Sequence, residues 1–204
     1  MELLKGDKPV DRENLFEGIN TTWTRVKGGA TNQKIMAEVQ AQFDFLHPEK
    51  SVPGLLEAKK LIEKLEDGFW KERKSREVND IIVSCLGLYA EGIASSHTAV
   101  QGEVVKVDIE VVKRLPGNVS LNAIRLLPAG KDTSVMKTLN DNETYLQSYA
   151  FTVPTNVWHT NAYWLNEKGS LGMYKVDQAE WIGLPETPRQ INVEFDFTIE
   201  GQPL

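Results

Sequence analysis

The chain has 204 residues, of which 41% are hydrophobic and 25% charged, a composition typical of a folded globular protein. This composition excludes a disordered chain, and the single cysteine excludes a disulfide-dense scaffold. Lys and Arg number 23 against 29 for Asp and Glu, so the net charge is −6; without a basic stripe, nucleic acid is excluded as a partner.

The length allows one or two domains, and the sequence contains no run of about 18 apolar residues that would cross a membrane. The amino end also lacks the apolar run of a signal peptide. The chain starts on a bare Met and stops at TIEGQPL, directly after a predicted strand. We therefore expect the sequence to be a segment of a longer protein.

From Pro9 to about His97, apolar residues recur at the spacing of amphipathic helices. The segment TNQKIMAEVQAQFDFL predicts a first helix, capped by Thr31. Its apolar face consists of Ile35, Val39, Phe43 and Leu46. The prolines and glycine of HPEKSVPG interrupt the pattern, and LLEAKKLIEKLEDGFW then predicts a second helix. Its apolar residues are Leu55, Leu61, Ile62, Leu65 and Phe69.

The segment REVNDIIVSCLGLYAEGIASS predicts a third helix with an unusually broad apolar stripe. The stripe consists of Val78, Ile81, Ile82, Cys85, Leu88, Tyr89 and Ile93. Such breadth predicts the central helix of a helical layer. It also predicts that Cys85 is a buried, unreactive thiol.

From Val100 onward the pattern changes to the alternation of half-buried strands. In GEVVKVDIEVVKR the apolar face consists of Val105, Val107, Ile109 and Val111. NVSLNAIRLLP, YLQSYAFTVP, GMYKVDQAEWIG and RQINVEFDFTIEG predict further strands, with GKDTS and NDNE as turns. The sequence therefore predicts an α+β protein: a helical layer in residues 1–98, then an Ig-like antiparallel β-sandwich in residues 99–204.

Candidate catalytic groups are sparse. HPEK, which begins at His47, resembles a zinc motif only superficially, because one acid follows the histidine and no nearby histidine completes a ligand set. His97 and His159 lie far apart in the sequence. The serines lack a nucleophile-elbow pattern. From these residues we expect no catalytic site and no metal or other cofactor in this chain.

The stretch from Tyr163 to Pro188 is rich in aromatic residues. Trp164, Tyr174 and Trp181 there are candidates for a flat surface on which a sugar ring stacks. The alternative is that at least one of the tryptophans fills the space between two sheets, as tryptophans of β-sandwiches commonly do.

Three segments of the sequence are NLFEGINTTWTRVKGG, SVPGLLEAKKLIEKL and YWLNEKGSLGMYKVDQAEWIGLPETP. Together they resemble the middle region of large multidomain PIG-L/LmbE-type deacetylases of Bacteroidetes-like bacteria. The resemblance covers most of the chain. Members of that family are zinc-dependent de-N-acetylases of the N-acetylglucosamine type. Their catalytic domain carries a His-Pro-Asp-Asp motif, which this sequence lacks.

The resemblance implies a non-catalytic region whose partners are the catalytic and downstream domains of one parent chain, with zinc only in the catalytic domain. It also implies export to the periplasm or cell surface. Trp23 and Arg25 are then expected to line the parent's cleft, with Arg25 as a donor to an anion or a sugar hydroxyl. The simpler alternative is that Trp23 packs in the helical layer and Arg25 forms a surface ion pair.

Three hypotheses about function follow. The first is an accessory region that links the catalytic domain and positions it, and with it a glycan substrate. The second is a carbohydrate-binding module in which Tyr163, Trp164 and Trp181 stack on a glycan. In this second hypothesis Asn161, Asn166 or Glu167 bond the glycan's hydroxyls. The third is an unrecognised hydrolase site, for which three groups must converge in one cleft: His159, Glu167 and Asp177.

Overall fold

The computed structural model describes residues 16–128 and 130–204. The expectations about the amino end, residues 1–15, lie outside the described residues. The described residues form three α-helices and two antiparallel sheets with seven strands, so the protein is mixed α+β. The chain divides into two units, Met1–Cys85 and Leu86–Leu204, which we call the helical unit and the sheet unit.

The helical unit contains α1 (Ala30–Ala41), α2 (Val52–Ile62) and α3 (Gly68–Cys85). Short 3-10 turns cover Trp23–Arg25 and Pro48–Ser51. None of the described helices is long and apolar enough to span a membrane. The central helix is α2, which contacts both α1 and α3, whereas the sequence predicts this position for the third helix.

The first predicted helix ends earlier than expected, and the second is broken into two helices. Helix α1 ends at Ala41, so Phe43 and Leu46 lie beyond it and are exposed, instead of extending its apolar face. The predicted second helix is broken before Phe69, because the Asp67 side chain accepts the backbone N–H of Trp70 at 3.1 Å and caps α3. The core therefore forms from α2 and α3. Its fully buried side chains include Leu55, Leu56, Ile62 and Ile82.

Helices α1 and α2 approach closely at Gly54. A Cβ atom added there would lie 2.5 Å from Cγ2 of Val39, whose β-branched side chain has little freedom to move. Gly54→Ala is therefore expected to destabilise the helical unit by about 1–3 kcal/mol, and Val39→Ala in the same chain should restore most of the loss. Urea denaturation measures both. Gly68→Ala is the control, since an added Cβ there has no neighbour within 4 Å; an equal loss in this variant would contradict the packing argument.

The predicted third helix ends at Cys85, and Leu88, Tyr89 and Ile93 lie instead in a strand, β1 (Leu88–Ala94). Gly87 has a φ of +53°, which directs the chain out of the helix. Strand β1 pairs with the next strand, so it belongs to the sheet unit. The division between the units therefore falls after Cys85, whereas the sequence predicts a junction at residues 98–99.

The sheet unit has one three-stranded sheet, of order β1-β2-β5, and one four-stranded sheet, of order β4-β3-β6-β7. The remaining strands are β2 (Val104–Lys113), β3 (Val119–Leu127), β4 (Lys131–Thr138), β5 (Tyr145–Thr152), β6 (Asn192–Ile199) and β7 (Gln202–Pro203). Burial confirms the predicted alternation in β2. Its buried residues include Val105, Val107, Ile109 and Val111, while Lys106 and Asp108 are exposed.

One predicted turn and one predicted strand are wrong. GKDTS, predicted as a turn, lies largely in β4, which pairs with β3. GMYKVDQAEWIG, predicted as a strand, lies in an irregular connection of residues 153–191. This connection runs from β5 to β6, which belong to different sheets. It contains two short 3-10 turns, Tyr163–Leu165 and Ala179–Trp181.

The side chain of Lys113 is buried in the sheet unit. Lys113, at the end of β2, is 2% exposed, and its Nζ donates to the Leu115 carbonyl at 3.2 Å and to the Asp141 carboxylate. The backbone N–H of Asn142 also donates to the Lys113 carbonyl at 2.7 Å. These bonds attach the loop after β4 to the end of β2.

Candidate functional site

The aromatic stretch of the irregular connection is organised around Tyr163, which is only 7% exposed. Its ring meets those of Trp164 and Trp181 edge to face, with centroids 4.8 and 6.2 Å apart. The Tyr163 hydroxyl donates to the Leu184 carbonyl at 3.1 Å and accepts the Gly183 N–H at 3.3 Å. Tyr163 is therefore the interior of this segment, and its ring has no face free for a sugar.

Trp164 and Trp181 are both half-buried. Only Trp164 lies in an open depression of about 390 Å³ on the surface of the connection. Its other side chains are Leu165, Glu167, Ser170, Met173 and Tyr174. The structure thus brings Trp164 and Tyr174 to one place, and Trp181 does not line it.

A tight turn presents one wall of this depression. The backbone N–H of Ser170 donates to the Met173 carbonyl at 3.0 Å, and the N–H of Met173 donates back to Ser170 at 3.2 Å. Gly172 within the turn has a φ of +79°, which favours glycine. The turn leaves Leu171, Met173 and Tyr174 largely exposed. Such exposure of large apolar side chains is typical of a contact surface.

The polar groups beside the depression include two carboxylates that share one lysine. Lys175 Nζ lies 3.2 Å from Asp177 and 4.0 Å from Glu167. The hydrogen bond that Lys175 donates to Asp177, and then the charges of both acids, raise the pKa of Lys175, so it stays an ammonium. The contact of Glu167 is the longer of the two, so its oxygens are open to a hydroxyl group or cation of a ligand.

Asn161 and Asn166, expected to bond glycan hydroxyls, do not line the depression. The Asn161 side-chain oxygen accepts the backbone N–H of Ala162 at 2.9 Å, and the Asn161 backbone carbonyl accepts the Thr187 hydroxyl at 2.6 Å. Asn166 is exposed, and its backbone N–H donates to Tyr163 at 3.4 Å. Asn161 therefore acts as a structural link within the connection.

Of the three groups predicted for a hydrolase site, Glu167 and Asp177 both lie near Lys175, and His159 is not joined to either. His159 is exposed, and across the described residues it makes no hydrogen bond or ion pair with Glu167 or Asp177. The His47 ring is paired with Glu49, at 3.3 Å between Nδ1 and Oε1. In residues 16–128 and 130–204, no three His, Cys, Asp or Glu side chains are grouped as metal ligands. Burial, and then the charge of Glu49, raise the pKa of Cys85, which disfavours the thiolate.

In the helical unit, Trp23 and Arg25 belong to a cation–aromatic cluster with Trp70 and Lys74. The Arg25 Cζ atom lies 4.9 Å from the centroid of the Trp70 ring. Lys74 Nζ lies 5.9 Å from the Trp23 ring and 5.8 Å from the Trp70 ring. Trp23 and Trp70 are half-buried and Arg25 is exposed. Each such contact contributes about 0.5–1 kcal/mol at an exposed site.

Arg25 forms no surface ion pair with any described residue, in contrast to the simpler alternative for it. Lys74 is paired with Glu77 at 2.5 Å. The indole of Trp70 therefore holds the guanidinium of Arg25 while its N–H donors stay available to a carboxylate, phosphate or hydroxyl. No local pattern points to Trp70 as a partner of Arg25, because Trp70 lies 45 positions away in another element.

A second exposed feature of the helical unit follows α1. Phe45 is 85% exposed and Leu46 is 78% exposed, with Phe43 beside them in sequence and half exposed. The turn that carries them is held by Asp44, whose side chain accepts the Leu46 N–H at 3.0 Å. This hydrogen bond lowers the pKa of Asp44, so the carboxylate holds the turn at neutral pH. We call Phe43, Phe45 and Leu46 the FxFL patch.

Comparison of the chain with family models, curated proteins and solved structures found no match.

Proposed function

We propose that this chain is a non-catalytic accessory region that docks against a catalytic domain and positions it. The observation that carries the proposal is the FxFL patch, where Phe45 and Leu46 are 85% and 78% exposed on a turn fixed by Asp44. Fully burying one such side chain contributes about 1.5–3 kcal/mol. Large apolar groups held in water by a defined turn are typical of a surface that a partner covers.

The cation–aromatic cluster supplies a polar anchor on the same unit. Arg25 is oriented by Trp70 and lacks a carboxylate partner among the described residues. Interfaces concentrate their binding energy in Trp, Arg and other large side chains. An apolar patch and a stacked arginine thus combine affinity with orientation, which a docking region requires.

The partner in this proposal is the zinc-dependent deacetylase domain of a PIG-L/LmbE-type parent protein, whose middle, non-catalytic region is the one that three segments of the sequence resemble. Zinc then belongs to that domain, whose His-Pro-Asp-Asp motif this chain lacks. The sheet unit would be an Ig-like sandwich that links the catalytic domain to downstream modules. Export to the periplasm or cell surface is part of the same proposal.

The test is a titration of this chain against the purified deacetylase domain, measured by calorimetry. Phe45→Ser combined with Leu46→Ser is expected to weaken binding at least about tenfold, since one exposed Phe and one Leu lose their burial. Val100→Ser is the matched control, because Val100 is 70% exposed but lies in the sheet unit. Unchanged affinity in the double variant would overturn the docking surface. Deacetylation by this chain alone, with zinc added, would overturn the non-catalytic role.

A second candidate function is glycan binding in the depression beside Trp164. The favouring observation is that Trp164 and Tyr174 line it together with the carboxylate of Glu167. Aromatic faces with a few polar groups are the usual composition of a sugar site.

Titration with chitin and chitosan oligosaccharides, followed by tryptophan fluorescence, tests this second function. Trp164→Ala and Tyr174→Ala should abolish any saturable response. Trp158→Ala should retain it, because this exposed indole does not line the depression. A response that survives in Trp164→Ala would place the glycan elsewhere, and no response in the unaltered protein would reject the function.

A further inference from the structure

Strand β6 has an incompletely paired outer edge. Strand β3 pairs with it from Asn192 to Ile199 on one side. On the other side, β7 pairs only with Thr198 and Ile199, and Leu204 exchanges two backbone hydrogen bonds with Phe197, at 2.9 and 3.1 Å. The ladder on this side therefore stops at Phe197, although β6 begins five residues earlier.

The direction of the free hydrogen-bonding groups follows from strand geometry. Successive residues of a strand direct their N–H and C=O groups to opposite sides. Because the Phe197 groups point toward β7, those of Phe195 and Val193 point to the same edge. No residue in the described ranges pairs with them there. Such a row of open donors and acceptors is a template for another strand.

We propose that the edge of β6 over residues 192–196 accepts an extended peptide strand in which apolar and basic residues alternate. The added strand would continue the line of β7, which already uses the same edge. This proposal does not depend on the docking surface of the helical unit, since all its residues lie in the sheet unit.

The inner face of β6 is the reason why we expect apolar residues at alternate positions of the added strand. Val193 and Phe195 are half-exposed there, whereas Phe197 and Ile199 further along the same face are buried. Phe195 is stacked on Phe197, with ring centroids 6.2 Å apart and an interplanar angle of 15°. Apolar residues at alternate positions of an added strand would cover Val193 and Phe195 and extend the core by one strand.

The basic half comes from the outer face, where Glu194 and Asp196 alternate with the apolar residues. Arg125 of β3 contacts both carboxylates, Glu194 at 3.4 Å. Two carboxylates thus share one guanidinium, so this strip keeps a negative charge. Lys or Arg on the outer face of the added strand would neutralise it, since opposite charges on neighbouring strands stabilise their pairing.

The same charges disfavour a second copy of this chain as the occupant. Pairing β6 with β6 of another copy would place Glu194 and Asp196 against their equivalents, and like charges on neighbouring strands are destabilising. The edge therefore favours a different, basic strand over self-association, and this charge arrangement is one that proteins use against edge-to-edge aggregation.

The experiment uses the whole chain and the synthetic peptide Lys-Val-Lys-Ile-Arg-Val-Lys, with amide hydrogen exchange followed by NMR. The peptide should bind saturably and slow the exchange of the Val193 and Phe195 amides. Two further peptides carry N-methyl groups on one or the other alternate set of residues. Only the peptide that is N-methylated on the residues whose N–H groups face β6 should fail to bind. If both N-methylated peptides still bind, the binding is electrostatic adsorption and the proposal is overturned.

One more peptide and two variants of the protein locate the contact. A peptide with Glu in place of every basic residue should not bind, and equal binding by it would overturn the charge pattern. Val193→Pro removes an edge N–H that β3 does not use and should weaken binding about tenfold, as expected for one hydrogen bond and lost alignment. Val193→Ala, which keeps the N–H, is its control. Protection of the two amides that grows with protein concentration in the absence of peptide would instead identify a second copy as the occupant.

Discussion

Asp141→Ala is expected to lower the free energy of unfolding of the sheet unit by about 1–3 kcal/mol, the cost of leaving a buried donor, here the Lys113 ammonium, without its half-exposed partner. Lys113 is 2% exposed and has two acceptors, the Asp141 carboxylate and the Leu115 carbonyl. Removing the carboxylate leaves an ammonium in the interior with one neutral acceptor. The loop after β4 would also lose one of its attachments to β2, keeping the backbone hydrogen bond from Asn142 to Lys113.

Urea unfolding, followed by the exchange of amides in β2 and β3, measures this loss. Adding Lys113→Met to Asp141→Ala should recover most of the stability, because the unpaired charge is then absent. Asp177→Ala is the surface control, since its pair with Lys175 is exposed and should contribute no more than about 1 kcal/mol. If Asp141→Ala is no more destabilising than Asp177→Ala, the pair is not a structural contact.

Tyr163→Ala is expected to destabilise the irregular connection by about 3 kcal/mol, the cost of removing a buried aromatic ring. The ring contacts Trp164 and Trp181, and its hydroxyl bonds the backbone at Gly183 and Leu184. Without it the two ends of the aromatic stretch lose their common contact. Local opening should follow, in which the amides between Tyr163 and Leu184 exchange faster while the strands remain protected.

Tryptophan emission gives a second measurement, because Trp164 and Trp181 should shift to the red when Tyr163 is removed. Tyr163→Phe should lose only about 1 kcal/mol, the contribution of its hydrogen bonds. Tyr174→Ala is the matched control: this tyrosine is 68% exposed, so its removal should change stability by less than about 0.5 kcal/mol. Equal effects of Tyr163→Ala and Tyr174→Ala would show that the stretch has no interior.

The sequence predicts best where one local pattern determines the structure. In β2, alternation identifies both the strand and its buried face, because side chains of a strand point to opposite sides. The pattern fails beyond Cys85, where Leu88, Tyr89 and Ile93 fit a helical stripe and a strand equally well. The pairing of β1 with β2, a non-local contact, decides between them. Gly87, whose φ is positive, is a local sign that the helix gives way to a strand.

The candidate surfaces were predictable in part. The sequence points to Trp164 and Tyr174 as neighbours, and the structure places both in one depression. The sequence does not show that Tyr163 is buried while Trp164 and Tyr174 reach the surface, since burial depends on how the irregular connection folds back on itself. The exposure of Phe43 and Leu46 was missed because their spacing continues the apolar face of α1, whereas the helix ends at Ala41. Likewise, the stacking of Arg25 on Trp70 joins distant parts of the chain.

The irregular connection also determines what a protease would do to this protein. Leu171 protrudes fully into water at the tip of its turn, so limited digestion should begin there. The residues after such a cut include β6, which is bound along its length to β3 on the other side of the break. The two fragments should therefore remain together as one particle on a sizing column and separate only in denaturant. Covalent continuity at this point is not what holds the sheets in place.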